Sequence, residues 1–259
     1  MAKVFLSAGH GGSDPGACAY GLKEKDINLN ILKACRDELK RHKVEVVCSR
    51  EKDENDPVGQ EVKEANASKA DIAASFHINA GEGNGFEAFC NLENEDGVKL
   101  AELGEKYIKE LGQNSRGIKD GMHLYFIKNT NMMAVLFESF FIDNNTDNNI
   151  GDTAAEQKKF GVAYAKAILE YLGIKYKKEE GPKKTTSTKT TISYYSRYTG
   201  KSARVDEVFK AIGVPSKYRG AWKKRKPVAT KNGIKNYEGT ATQNNKLISL
   251  AKQGKLKKV

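Results

Sequence analysis

The sequence predicts an α/β domain followed by a small, mostly helical domain. In the first 175 residues, short apolar runs typical of buried strands alternate with longer segments whose apolar residues recur at helical spacing. This alternation is typical of a mixed or parallel sheet covered by helices on both faces. Beyond residue 175 the chain becomes rich in lysine and threonine, and two amphipathic helical patterns follow.

The elements of the first domain follow from these patterns in chain order. The helix beginning at Glu24 has its apolar residues on one face. Strand ends and helix starts of such a sheet converge at one rim, where ligands bind. The predicted strands lie near 3–8, 44–49, 71–78, 85–91, 122–128 and 134–142, and the predicted helices near 24–42, 57–68, 97–112 and 154–173.

Charge and composition divide the chain into a domain at 1–175, a linker at 176–192 and a domain at 193–259. The linker is predicted from a Lys, Thr and Ser-rich run that has too little apolar surface to bury. Residues 1–175 hold 22 Lys and Arg against 28 Asp and Glu, a net charge of −6, whereas residues 176–259 hold 22 against 5, a net charge of +17. The helices of the last domain are predicted from Val205, Val208, Phe209 and Ile212, and from Leu247, Ile248, Leu250 and Ala251.

Two histidines and two glutamates lie in short motifs that a metal hydrolase would need. His10 follows a buried strand and is flanked by glycines, which let a ligand approach closely. Glu24 begins a long helix, and His77 ends an apolar strand in Ser75-Phe76-His77-Ile78-Asn79. Glu138 lies inside an apolar strand, where a carboxylate is costly unless it is used or satisfied.

A His, Glu, His set leaves the fourth position of a zinc ion open for water, which is typical of a catalytic site. A nearby glutamate would accept and return the proton of that water. Each residue also has a structural alternative. His10 and His77 taken singly fit hydrogen-bonded structural histidines, Glu24 fits a first-turn acid favoured by the helix dipole, and Glu138 fits a solvent-facing edge strand.

Taken together and in this order, the motifs resemble those of the zinc-dependent N-acetylmuramoyl-L-alanine amidases of bacterial autolysins and phage endolysins, the amidase 3 type. The resemblance spans roughly residues 1–174. It implies zinc on His10, Glu24 and His77, with Glu138 as general base and acid. Ala65-Asn66 matches the family's Ala-Asn pair, but the arginine usually found shortly before it is absent.

Three further residues are predicted to contact substrate. Arg50 ends a valine-rich strand and matches the family's Thr-Arg segment, and Asn79 closes the motif that contains His77. His123 is the third, although a turn or surface histidine fits its position equally well. The predicted substrate is peptidoglycan, cut at the amide between N-acetylmuramic acid and L-alanine. Another zinc amidohydrolase, such as a peptidase or deacetylase, and a non-catalytic binding protein are the alternatives.

The basic last domain predicts an anionic partner, either nucleic acid or a wall polymer such as a teichoic acid. The catalytic half favours the wall, so we expect no specific nucleic acid. The segment at 232–256 resembles a recurring C-terminal segment of phage lysins, which implies wall binding. The aromatic residues of this domain fit sugar stacking or its own core: Tyr194, Tyr195, Tyr198, Tyr218, Trp222 and Tyr237.

The chain starts with Met1-Ala2-Lys3 and a strand, and it shows neither a signal peptide pattern nor a membrane-length apolar run. We therefore expect a protein held in the cytoplasm until release, as a phage endolysin or an autolysin, without membrane insertion. The four cysteines are expected to be small buried hydrophobic residues rather than disulfides: Cys18, Cys35, Cys48 and Cys90.

Overall fold

The computed structural model describes residues 2–178 and 194–259, apart from the side chains of Asn148 and Asn149. The chain separates into two compact units, Met1–Glu179 and Glu180–Val259. Most of the predicted linker, residues 179–192, lies outside the described residues, so the three-part division stays a prediction.

A six-stranded sheet forms the centre of the first unit, with the strand order β4-β1-β5-β8-β6-β7. Strands β4, β1, β5 and β8 are parallel, β6 is antiparallel to β8, and β7 is parallel to β6. The strands of this sheet are β1 (Lys3–Ala8), β4 (Glu45–Cys48), β5 (Ile72–Asn79), β6 (Phe86–Cys90), β7 (Ser115–Asp120) and β8 (Met133–Phe141), and β2 (Cys18–Ala19) pairs separately with β3 (Leu22–Lys23).

Helices cover both faces of the sheet, which confirms the predicted α/β class. Alternate residues of the strands, such as Leu6 and Phe137, pack with one set of helices, whereas Phe5 and Leu136 face the other way. The helices of the first unit are α1 (Glu24–Arg41), α2 (Val58–Ser68), α3 (Glu95–Lys109), α4 (Tyr125–Asn129), α5 (Asn145–Gly151) and α6 (Ala154–Tyr171). Helices α1, α3 and α6 supply the first core, and α2 and α4 the second.

The strand predicted near 122–128 is wrong. Residues 121–124 form a turn and Tyr125–Asn129 form α4. The strand that occupies this edge of the six-stranded sheet is β7, which ends at Asp120, just before the turn. The apolar residues Phe126 and Ile127 are buried because α4 packs on the sheet. Strand β7 lies at the edge of the sheet and is polar, so it lacks the apolar pattern from which strands are predicted.

The cysteine prediction is confirmed only in part. Cys35 and Cys90 are buried and Cys48 is half-buried, but Cys18 is exposed, because it lies in the short β2–β3 hairpin rather than in the core. All four are free thiols.

The second unit is small and mostly helical, as predicted. It contains α7 (Val205–Ala211), a 3₁₀ turn at Ser216–Tyr218, α8 (Trp222–Lys231) and α9 (Ala241–Lys252). Helix α9 begins with a capping box between Thr240 and Gln243. Helix α8 was missed, because four consecutive basic residues and an internal proline hide its pattern. In the ranges that the structure describes, no helix is long and apolar enough to span a bilayer.

Aromatic residues of the second unit divide between its core and its surface. Tyr237 and Tyr195 are 1% and 6% exposed and belong to the core. Tyr194 is 45% exposed, and Tyr198, Tyr218 and Trp222 are packed against the core with part of their surface open. Only the residues of the second group expose enough ring surface for the sugar stacking that the sequence allows.

Candidate metal centre and active site

His10 is positioned by the glycine-rich loop that follows β1. Its backbone φ is +66°, a left-handed conformation that non-glycine residues adopt rarely. Nδ1 of its ring lies 2.8 Å from an Asp14 carboxylate oxygen, which directs Nε2 toward Glu24. A carboxylate on the second ring nitrogen is a usual way to fix the orientation of a metal-binding histidine.

Glu24 is the first residue of α1 and is 4% exposed. Its Oε2 accepts a hydrogen bond from the Ala17 amide at 2.8 Å, and its Oε1 accepts one from the Ile78 amide at 3.0 Å. These bonds hold the carboxylate between the loop after β1 and the end of β5. The helix start therefore delivers its acid to the rim of the sheet, as the sequence predicts.

His77 lies near the carboxyl end of β5, where Gly9 leaves space for its ring. A Cβ atom added at Gly9 would lie 2.0 Å from Cε1 of His77. Gly9, the residue before His10, is therefore required by the second histidine, which lies 68 positions later in the sequence.

The three predicted ligands converge on one point. Nε2 of His10 lies 3.3 Å from Oε2 of Glu24, and Nδ1 of His77 lies 3.1 Å from Oε1 of Glu24. One potential ligand atom from each residue lies within 4.8 Å of the others. Two imidazole nitrogens and one carboxylate oxygen suit a zinc ion with one open position, so the donor set fits the metal that the motifs predict.

Electrostatics within the cluster are strong. Burial opposes ionisation of Glu24, but hydrogen bonds from His10 and His77 lower its pKa well below the usual range. The hydrogen bond to Glu24 is also the main cause that raises the pKa of His10 to about 9. Burial lowers the pKa of His77, yet the bond to Glu24 and nearby carboxylates raise it overall. A metal ion would take the place of the protons that these histidines share with Glu24.

Glu138 lies on β8, a central strand with β5 on one side and β6 on the other. This excludes the solvent-facing edge strand considered above. Its register partners are His77 on β5 and Glu87 on β6. Its Oε2 is buried without a hydrogen-bond partner. Burial is the main cause that raises the pKa of Glu138 to about 7, so this carboxyl group is suited to exchanging a proton near neutral pH.

Arg50 is not placed to contact substrate, contrary to the prediction. It is 2% exposed, and its guanidinium donates to the backbone carbonyls of Ala8 at 2.9 Å and Lys25 at 2.8 Å. Burial lowers the pKa of Arg50. Because these carbonyls belong to the end of β1 and to the first turn of α1, Arg50 joins the strand that leads into the His10 loop to the helix that carries Glu24.

The substrate contacts predicted for Asn79 and His123 stay predictions. Asn79 is half-buried at the end of β5, and its side-chain amide donates to Oε2 of Glu87 at 3.0 Å. His123 is exposed in the turn after β7, where its ring lies edge-on to Phe89 at 6.0 Å.

Several residues around the site were not predicted from the sequence. Asp14 lies four positions after His10 in the same motif, a spacing that could have indicated it. Lys25 is buried and binds both the Gly12 carbonyl at 2.7 Å and Asp53 at 2.8 Å, which fixes the glycine-rich loop. Glu61, near the position of the missing family arginine, is 2% exposed and accepts a hydrogen bond from the Ser7 hydroxyl at 2.6 Å.

Comparison with known proteins identifies the family of the first unit. A family model described as N-acetylmuramoyl-L-alanine amidase matches residues 4–170. The endolysin of Bacillus phage SPP1 is 38% identical over 183 residues, which cover 67% of this chain and 67% of the endolysin.

Solved structures show the same fold. The catalytic domain of CwlV, an N-acetylmuramoyl-L-alanine amidase from Bacillus (Paenibacillus) polymyxa var. colistinus, has a TM-score of 0.63 and 31% identity, covering 68% of this chain and 100% of that one. An N-acetylmuramoyl-L-alanine amidase from Clostridium difficile 630 has a TM-score of 0.62 and 28% identity, covering 70% of this chain and 98% of that one. The chain therefore belongs to the N-acetylmuramoyl-L-alanine amidase family of hydrolases.

Proposed function

We propose that the first unit is a zinc-dependent hydrolase that cleaves the amide between the lactyl group of N-acetylmuramic acid and L-alanine in peptidoglycan. The observation that carries this proposal is the convergence of His10, Glu24 and His77 beside Glu138, whose Oε2 is buried and unpartnered. Catalysis gives this unpartnered carboxylate oxygen beside the cluster a use, which favours an enzyme over a binding protein.

His10, Glu24 and His77 would hold the zinc ion. When bound there, zinc acts as a Lewis acid that polarises the carbonyl and lowers the pKa of a bound water to about 7. Asp14 keeps the His10 ring oriented through Nδ1, and Arg50 ties β1 to α1. The ligand set is therefore held by bonds that form without the metal.

Glu138 would act as the general base and acid. Burial stabilises the neutral form of its carboxyl group and raises the pKa to about 7. Near neutral pH the group could therefore accept a proton from water and return it to the leaving amine. The register pairing of Glu138 with His77 supports a proton exchange next to the proposed metal ligands.

The choice of amide is supported by the relatives rather than by the ligand set. Another zinc amidohydrolase could use the same donors, but the SPP1 relative is named an endolysin and the solved neighbours are named N-acetylmuramoyl-L-alanine amidases. We propose that this chain lyses bacterial walls in the same way, either as an endolysin released from the cytoplasm or as an autolysin.

We also propose that the second unit binds an anionic wall polymer. Residues 194–259 contain 17 Lys and Arg but only 3 Asp and Glu. Within that range, Arg204 is the one cation found in an ion pair, with Asp206 and Glu207. The remaining positive charge is free to bind phosphate groups, and such binding should weaken as the salt concentration rises.

Digestion of purified Gram-positive peptidoglycan by the full chain tests the proposed reaction. We expect intact glycan chains and stem peptides with a new free L-alanine amine, identified by mass spectrometry, and we expect a chelator to stop their release. Cleaved cross-links or reducing sugar ends would instead assign the site to another bond. Sedimentation of the full chain with walls and with DNA, at several salt concentrations, tests the second unit.

A further inference from the structure

Two cations lie on the side of Glu138 that is opposite to His77. Arg116 and Lys119 on β7 both bind Oε1 of Glu87 on β6, and the Lys119 contact is 2.6 Å. Glu87 is 4% exposed and is the register partner of Glu138. The strand order β5-β8-β6-β7 therefore runs from the metal ligand through the general base to this cation pair.

Glu87 balances only one of these two positive charges. Its Oε1 accepts bonds from both cations, and its Oε2 accepts one from Asn79 at 3.0 Å. Among the residues that the structure describes, no other carboxylate forms an ion pair with Arg116 or Lys119. Their side chains are 44% and 38% exposed, so one excess positive charge faces solvent beside the active site.

The donors of this pair are fixed in position and still available. Arg116 uses Nε to bind Glu87, and its two terminal nitrogens form no hydrogen bond with the described residues, which leaves them able to bind a carboxylate in a bidentate manner. The guanidinium lies 5.4 Å from the Phe141 ring centroid, and the Lys119 ammonium 5.9 Å from that of Phe89. A pair held in this way loses little side-chain entropy when an anion binds.

The position of the pair indicates which part of the substrate it meets. Strand β6, where the cations bind Glu87, is two strand spacings from β5, or about 10 Å. An extended peptide covers that distance in about three residues. On the glycan side of the cleaved amide the sugars are neutral, whereas the stem peptide carries carboxylates at its second residue, a γ-linked D-glutamate, and in some walls at its third.

We propose that Arg116 and Lys119 form a subsite for a stem-peptide carboxylate, two or three residues beyond the cleaved amide. This inference rests on the proposed function, because it assumes that the muramoyl amide is the bond bound next to Glu138. It predicts that the enzyme selects stem peptides by their charge, and that a neutral group in place of the bound carboxylate weakens recognition.

The test compares N-acetylmuramoyl tripeptides cleaved by the full-length zinc-loaded enzyme. One pair differs only in D-isoglutamate against D-isoglutamine at the second residue, and the other in diaminopimelate against lysine at the third. We expect kcat/KM to be about 10-fold higher for the carboxylate member of one pair, as for a charge-assisted hydrogen bond. The pair that shows the difference identifies the carboxylate that is bound.

Arg116→Gln should reduce this ratio to near 1, whereas Lys158→Gln, which removes an exposed charge on α6, should keep it. Should Arg116→Gln fold poorly, inhibition of the unaltered enzyme by the released peptides gives the same comparison, with the carboxylate form binding more tightly. Equal kcat/KM within both pairs, or a ratio unchanged in Arg116→Gln, would overturn the subsite. Failure to cleave any of the four compounds would instead count against the proposed function.

Discussion

Glu138 and His77 are register partners in the parallel β5–β8 ladder, so the proposed proton-exchanging group and one proposed metal ligand lie on adjacent strands. The backbone of two central strands therefore fixes their separation, and no loop needs to move to bring them together. Sites built on strands hold their geometry more closely than sites built on loops.

This relationship predicts that Glu138→Gln removes catalysis without disturbing the metal. The amide has nearly the shape of the carboxyl group but cannot exchange the proton, so we expect kcat to fall by about 10²–10⁴-fold. Zinc content, measured on the purified protein, should stay at one per chain. Glu102→Gln, an exposed change on α3, is the matched control and should keep full activity. Retained turnover in Glu138→Gln would show that Glu138 is not the general base.

Gly9 offers a purely steric test of the metal centre. A Cβ atom there would lie 2.0 Å from the His77 ring, so Gly9→Ala should displace the imidazole and weaken zinc binding while leaving the core intact. The matched control is Gly59→Ala in α2, where nothing lies within 4 Å and alanine should stabilise the helix by up to about 1 kcal/mol. Chelator competition measures the zinc affinity, and equal affinity in both variants would contradict His77 as a ligand.

Asp14 should influence zinc through His10. Asp14→Asn keeps the size of the side chain but removes the charge that orients the His10 ring from 2.8 Å, so we expect zinc affinity to fall by about 10-fold. The expected change lies in metal affinity, and activity should recover at saturating zinc. Asp37→Asn, an exposed change on α1, controls for loss of charge. Activity that stays low at saturating zinc would show that Asp14 acts otherwise.

The convergence of His10, Glu24 and His77 could be predicted from the sequence because each lies at an element boundary with a recognisable pattern. His10 follows a buried strand, His77 lies near the carboxyl end of another, and Glu24 begins an amphipathic helix, so the α/β topology brings them to one rim. The substrate role predicted for Arg50 failed for a physical reason. A sequence pattern cannot show that a cation at a strand end is buried against backbone carbonyls.

The residues of β6 and β7 beside Glu138 could not be predicted from the sequence. Strand β7 is polar because it lies at the sheet edge, so its residues gave no strand pattern, and an apolar turn and helix were predicted in its place. The ion pairs of Arg116 and Lys119 with Glu87 join residues 29 and 32 positions apart. Such contacts depend on the strand register, which the local pattern does not determine.

Glu87 predicts how stability should depend on pH. Burial opposes its ionisation, but hydrogen bonds from Lys119 and Arg116 lower the pKa of Glu87 below its ordinary value of 4.5. A carboxylate whose pKa is lower in the folded state stabilises the protein above its unfolded-state pKa, and this contribution is lost as the pH falls through the folded-state pKa. At pH 7 we expect Glu87→Gln to lower the free energy of unfolding by about 1–2 kcal/mol, a modest value because both cations are partly exposed. Urea denaturation at pH 7, 5 and 3 measures the difference, which should persist at pH 5 and shrink toward pH 3. A difference that stays constant over this range would mean that Glu87 contributes through packing rather than charge, and the fixed geometry of the cation pair would then need another cause.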